Sequence, residues 1–274
     1  MKSINRLSAR SLKSKVLTLL SLRGGARRLK VYPDDVFIVS YPRSGNTWAR
    51  ALVGGLVFRV DINAENVKSL LPDIYRASRS ELESIARPRY LKSHEPYLAS
   101  YPKVLYVVRD PRDVVISYHK WRLAYQRTTS SFDEFVMDFI QGQTQYGGWG
   151  DHVAGWLQNA PFVPHGFLLV RYEDLLASTL EKTAEIAKFL GISASNAFLE
   201  QVVTQSRFEA MQAKERKAKE SKGEAVAASG YVQIRAGQTQ QWKSLLSREQ
   251  LKLFASKFGP VASQLGYDLT EGLS

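Results

Sequence analysis

An α/β fold with a central parallel sheet flanked by helices is predicted by three features of this 274-residue sequence. Four short apolar runs, at 36–39, 90–92, 104–108 and 167–170, have the length and β-branched character of buried strands. Each is followed by a stretch whose apolar residues recur at helical spacing, and strand–helix alternation specifies a parallel sheet. The composition, 44% hydrophobic and 23% charged, is that of a folded globular chain and excludes disordered and collagenous classes.

The basic N-terminus stands apart. Residues 1–30 hold nine Lys or Arg and no acid, leaving +3 of the formal +12 for the rest of the chain. With the excess confined to one end, no nucleic-acid partner is expected. The apolar stretch 16–22 holds Thr18 and Ser21 and runs into Arg23 without a small-residue cleavage site, so a secretory signal is rejected. Leu12, Val16, Leu19 and Leu20 fall at i, i+4, i+7 and i+8, the pattern of a basic amphipathic helix. Such a helix can lie on an anionic membrane or dock on the protein itself. The expectation is a basic extension over 1–30, a single domain over 31–274, and a cytoplasmic chain, with peripheral membrane contact through the extension as one of its two options. Cysteine is absent, which removes thiolate metal sites and cysteine nucleophiles.

The first strand, 36–39, leads into Ser40-Tyr-Pro-Arg-Ser-Gly-Asn-Thr-Trp48 and a helix over 47–58. A strand that turns through glycine into a helix start aims unpaired backbone N–H groups and the positive end of the helix dipole at one point, where phosphate binds. Ser44, Asn46 and Thr47 add side-chain donors, and Arg43 adds a permanent charge able to grip two oxygens. The spacing of the nucleotide-triphosphatase loop is not present.

The second strand ends in Lys92-Ser-His94. The third ends in Arg109-Asp-Pro-Arg-Asp113, where Asp110 as N-cap and Pro111 as first helical residue start a helix over 111–125. Arg109 at the strand tip favours an anion, because ligands of open α/β sheets sit at the C-terminal edge. Further helices are expected over 131–141, 149–158, 178–190 and 247–258. Residues 212–230, between Met211 and Tyr231, are small and charged and are expected to be exposed and mobile, with the 211–232 segment closing over a bound ligand.

Together these segments resemble the sulfotransferases that use 3′-phosphoadenosine-5′-phosphosulfate (PAPS). Residues 41–48 look like the family's 5′-phosphosulfate loop, and 109–117 like its 3′-phosphate motif. Lys92-Ser-His94 is similar to its Lys-Thr-His, Arg171-Tyr-Glu-Asp-Leu175 to its adenine-side motif, Phe208-Glu-Ala-Met211 to its Phe-x-x-Met, and 235–243 to its Arg-Lys-Gly-x-x-Gly-x-Trp-Lys. The resemblance implies a P-loop-NTPase-like architecture and transfer of a sulfuryl group from PAPS to a hydroxyl or amine of a small-molecule, carbohydrate or lipid acceptor, without a metal. It also implies roles: Ser44, Gly45, Asn46 and Thr47 on the 5′-phosphate, Trp48 against adenine, Arg109, Ser117, Arg235 and Gly237 on the 3′-phosphate, and Tyr172, Ser206 and Phe208 around the base.

His94 is the candidate general base, since neutral imidazole can take the proton of an attacking hydroxyl. Arg43 and Lys92 are the candidate cations for the charge that grows on the leaving phosphate. His152 and His165 carry no motif and are read as structural, as is His119. Three departures from the pattern are Arg43 in place of Lys, Ala236 in place of the second cation of the late motif, and Gln240 in place of its second glycine. The last is expected to change local backbone geometry. Glu95, where the family commonly has an apolar residue, hints at a polar acceptor pocket. Two other readings remain at this point: a phosphate-loop kinase or phosphohydrolase with Asp110 on magnesium, and a non-catalytic anion binder driven by residues 1–30. Acceptor identity and oligomeric state are not legible.

Overall fold

The computed structural model describes residues 29–63, 66–125, 127–220 and 239–273. The basic extension therefore lies, except for Leu29 and Lys30, outside the described residues, as do Arg235, Ala236 and Gly237. Four strands, β1 (Val36–Ser40), β2 (Tyr90–Ser93), β3 (Lys103–Val108) and β4 (Phe167–Arg171), form one all-parallel sheet in the order β2-β1-β3-β4. Each strand begins and ends within one residue of its expected span.

The pleat sorts the side chains onto two cores. On one face Phe37, Val39, Leu91, Val104, Tyr106 and Val108 pack with helices α4 (Pro111–Ala124), α5 (Phe132–Ile140), α6 (Trp149–Asn159) and α12 (Arg248–Ser263). On the other, Val36, Ile38, Tyr90, Leu105, Val107 and Val170 meet α1 (Asn46–Phe58), α7 (Tyr172–Ala177), α8 (Thr179–Phe189), α9 (Asn196–Gln205) and the start of α10 (Phe208–Glu220). Short helices α2 (Val67–Leu70) and α3 (Arg79–Ser84) precede β2, and α11 (Trp242–Leu245) precedes α12. None of the described helices is long and apolar enough to cross a membrane.

Two expectations are corrected. Residues 212–220, the described part of the stretch between Met211 and Tyr231 expected to be exposed and mobile, are helical and continue α10, while 221–230 lie outside the described residues. Ala, Lys, Glu, Arg and Gln are strong helix formers, so charge did not exclude helix there. Helix α12 runs on to Ser263 with Pro260 inside it, five residues past the expected stop before Gly259-Pro260.

The order of the strands positions the site. From β1 the chain moves to one side for β2, then returns across β1 to place β3 and β4 on the other. A crevice therefore opens between the C-terminal tips of β1 and β3. Because all four strands are parallel, the loop 41–45, His94, Arg109 and Tyr172 all emerge at the same edge.

Candidate active site

The turn after β1 leaves donors that an anion could take. Gly45 is the N-cap of α1 at φ 104°, in the left-handed region, and no side chain caps the helix there. A Cβ at Gly45 would stand 2.6 Å from Cδ2 of Tyr172, so glycine is required both by the backbone and by the aromatic wall beside it. The Ser44 hydroxyl is buried and has no hydrogen-bond partner among the described residues. Arg43 precedes it at φ 69°, a strained conformation for a side-chain-bearing residue.

Asn46 differs from its expected role in one respect. Its side-chain amide donates to the Ile38 carbonyl at 3.0 Å and to Ser40 Oγ at 3.3 Å, so it ties the turn to β1. What Asn46 offers to a ligand is its main-chain N–H in the first turn of α1, next to that of Thr47.

A second group of cationic and polar side chains adjoins the first. Arg43 Nε donates to Ser117 Oγ at 3.2 Å, which joins the β1 turn to α4 across the crevice. The Arg109 guanidinium stacks over the Tyr172 ring at 4.4 Å, and Asp113 approaches it to 3.9 Å. Asp113 also accepts the amides of Gln240 and Gln241 at 2.7 and 3.0 Å and so anchors the chain where the late motif returns to the site. Gln240 itself sits at φ 61°. Its left-handed backbone is the one glycine favours, so the expected change in geometry at this departure is instead strain borne by glutamine.

Asp110 is committed elsewhere. It accepts the Arg112 amide as N-cap at 2.8 Å, and both its oxygens are gripped by the Arg112 guanidinium, at 3.1 Å from Nε and 2.8 Å from Nη2. A carboxylate held in this way is a helix cap and not a magnesium ligand, so the kinase or hydrolase reading loses its key residue.

An aromatic cluster fills the space beside the β1 turn. Trp48 meets Tyr172 edge-on at 5.7 Å and Phe208 at 4.7 Å. The two cations, the glycine turn and the three rings are thus contiguous, a chemistry that fits a phosphorylated nucleotide with two separate anionic ends. Trp48 and Phe208 touch each other, whereas a base stacked between them needs about 7 Å, two contacts of ~3.5 Å. Ser206, at the end of α9, is buried close in sequence to Phe208.

His94 lies on the other side of β1. Its Nδ1 is 2.6 Å from the Ser40 carbonyl oxygen. A carbonyl only accepts, so the proton sits on Nδ1 and the lone pair on Nε2. Burial, reinforced by the Lys92 charge, pushes the imidazole well below its ordinary pKa. Tyr75 runs parallel to the ring at 6.5 Å, and Tyr146 meets it at 5.3 Å.

Lys92 is ion-paired. Its Nζ lies 2.6 Å from Asp73 Oδ2, a partner that no motif marks. His152 was read as structural and is buried, but it is also bound to the site. Its Nε2 donates to the His94 carbonyl at 3.1 Å while Nδ1 accepts from the Tyr106 hydroxyl at 2.8 Å. Burial pushes its pKa down to about 4. His119 bonds the Ser130 carbonyl at 3.0 Å. Glu95 is buried beside His94 and its carbonyl accepts from Trp156.

Comparison with known proteins follows this geometry. Residues 33–266 match the family model of the sulfotransferase domain. Over 199 residues the chain is 34% identical to human sulfotransferase 2B1, covering 67% of this chain and about half, 53%, of that protein. It is 28% identical to rat sulfotransferase 2A2 over 86% of this chain and 87% of the relative. Among solved structures, mouse sulfotransferase SULT7A1 complexed with PAP superposes with a TM-score of 0.69 at 22% identity, covering 91% of each chain. Retinol dehydratase in a complex with retinol and PAP gives 0.72 at 21% identity, covering 91% of this chain and 86% of that one.

Proposed function

The chain belongs to the PAPS-dependent sulfotransferase family, and on that premise we propose that it sulfates a hydroxyl of a small-molecule acceptor with His94 as general base. The tautomer of His94 carries this reading. The Ser40 carbonyl fixes the proton on Nδ1, which leaves Nε2 as the basic atom, and burial keeps the ring neutral at pH 7. His152 holds the backbone of the same residue, so the imidazole is pinned from both its ring and its main chain. PAPS, when bound, supplies an electrophilic sulfuryl group on a phosphate leaving group.

The residues at hand divide the work. Ser44 Oγ and the first amides of α1 would receive the 5′-phosphate, Arg109 and Ser117 the 3′-phosphate, and Trp48, Tyr172, Ser206 and Phe208 the base, with Arg235 and Gly237 assigned by motif alone. Arg43, always protonated, acts by charge and not as an acid. Lys92 offers a second cation near His94. Tyr75 and Tyr146 flank the imidazole with aromatic surface, which favours a flat, largely apolar alcohol or phenol over a sugar. The retinol and PAP complex of retinol dehydratase supports an acceptor of that kind.

The test is incubation with radiolabelled PAPS, chelator and a panel of phenols, sterols, amines and sugars. Native protein should transfer label, and His94→Ala should lose about 10²–10⁴-fold in kcat while PAP still binds by calorimetry. Because the His94 pKa is depressed, kcat/KM should hold from pH 8 down through 6.5 and fall only below it. Near-native turnover by His94→Ala, or an acid limb above pH 6.5, removes histidine from the role of base.

A further inference from the structure

Asp73 lies in the irregular segment between α2 and α3, far in sequence from the motifs, yet it touches the catalytic side of the site twice. One oxygen, Oδ2, takes the Lys92 ammonium at 2.6 Å; the other, Oδ1, accepts the Tyr75 amide at 3.0 Å. The Tyr75 hydroxyl in turn accepts the His94 amide at 3.0 Å. The segment runs along β2 like an extra edge strand: Lys92 N donates to the Pro72 carbonyl at 2.9 Å, and Ile74 N donates to the Lys92 carbonyl at 3.3 Å.

From this frame we propose that Asp73 is a positioning residue for sulfuryl transfer, fixing the Lys92 ammonium and, through Tyr75, the backbone of His94 relative to each other. The inference rests on the reading of Lys92 and His94 as a working pair. The carboxylate has a second consequence for charge. Lys92 is largely buried, and besides Asp73 it faces Arg50 of α1, Arg76 of the 71–78 segment and the His94 ring. Burial and the two arginines drive its pKa down, and Asp73 alone among these groups opposes them. Asp73 therefore favours the charged form of Lys92. Around His94 the other groups are His152 from α6, Tyr75, Tyr146 and the neighbouring Glu95.

A double-mutant cycle in the full chain tests this, using the acceptor that the panel identifies. Asp73→Asn should lower kcat by about 10–100-fold, and Asp73→Glu should restore part of it. The alkaline limb of kcat/KM should move to lower pH in Asp73→Asn, because Lys92 then loses its charge sooner, and should vanish in Lys92→Met. Once Lys92 is methionine, Asp73→Asn should cost less than about threefold more, since asparagine keeps an acceptor oxygen for the Tyr75 amide and the part of the frame it loses is the hold on the lysine. PAP affinity should change little throughout. Independent, multiplying losses from the two substitutions, or an unmoved alkaline limb in Asp73→Asn, would overturn the inference. Should Asp73→Asn fail to fold, Asp73→Glu decides instead, and kcat equal to native in that variant would overturn it. The base assignment fails separately: an active His94→Ala removes the base and leaves the coupling between Asp73 and Lys92 measurable.

Discussion

The two strand-to-helix turns that face the crevice start from the same plan and finish it in opposite ways. After β1, helix α1 begins at a left-handed glycine with no side-chain cap, and the buried Ser44 hydroxyl beside it has no partner among the described residues. After β3, helix α4 begins with Asp110 already seated on its first-turn amide and clamped by Arg112. A carboxylate fills the positive end of the second helix, whereas the first leaves that end to a ligand. The lesson is that the β1 turn offers an anion backbone and hydroxyl, whereas the β3 turn offers it side chains, Arg109 and Ser117.

This contrast can be broken in order of effect. Asp110→Ala removes the cap and strands a buried arginine, so stability should fall by about 4 kcal/mol in urea titration. If the helix end it uncovers became a second anion site, PAP affinity would rise, and the contrast would be one of capping alone. Gly45→Ala should weaken PAP about 100-fold by calorimetry, because alanine is strained at φ 104° and its methyl meets Tyr172. An alanine variant with native affinity would mean that the β1 turn is not the cradle. Arg109→Gln should weaken PAP roughly 10-fold by loss of a charge-assisted contact, with a smaller loss of thermal stability because buried Asp113 then lacks its neighbouring cation. A larger loss of stability than of affinity would reassign Arg109 to structure. The smallest effect sharpens the picture: Gln240→Gly relieves a left-handed glutamine and should stabilise the fold by about 1 kcal/mol.

The sequence made the strands and most helices legible because their signals are local. β-branched runs bounded by turn residues mark a buried parallel strand, and the Asp110-Pro111 pair marks the start of α4. Helix α9 was missed. It buries only Leu199 and Val202, so its apolar stripe is too thin to stand out, although Ser195 caps it. The order of the strands was not readable, since parallel neighbours are chosen by long-range packing.

At the site, types of residue were legible and partners were not. Lys92 and His94 were marked by their place at the end of β2, but Asp73 precedes Lys92 by 19 positions in a segment with no periodicity. His152 carried no motif, and its hold on the His94 carbonyl exists only once α6 packs on the sheet. The polar side chains of the loop after β1 are legible in the sequence, but not that the Asn46 amide faces the strand, where it donates to the Ile38 carbonyl and Ser40 Oγ.

Asp113 gives the late part of the chain a say in the early part. Both of its oxygens serve the amides of residues 240 and 241, and the same carboxylate lies next to Arg109. Were those amides withdrawn, a buried negative charge would be left to satisfy itself on the nearest cation, and that cation is the one proposed for the 3′-phosphate. Nucleotide grip and the seating of the C-terminal portion are therefore two readings of one electrostatic balance, and damage to either will be felt as loss of the other.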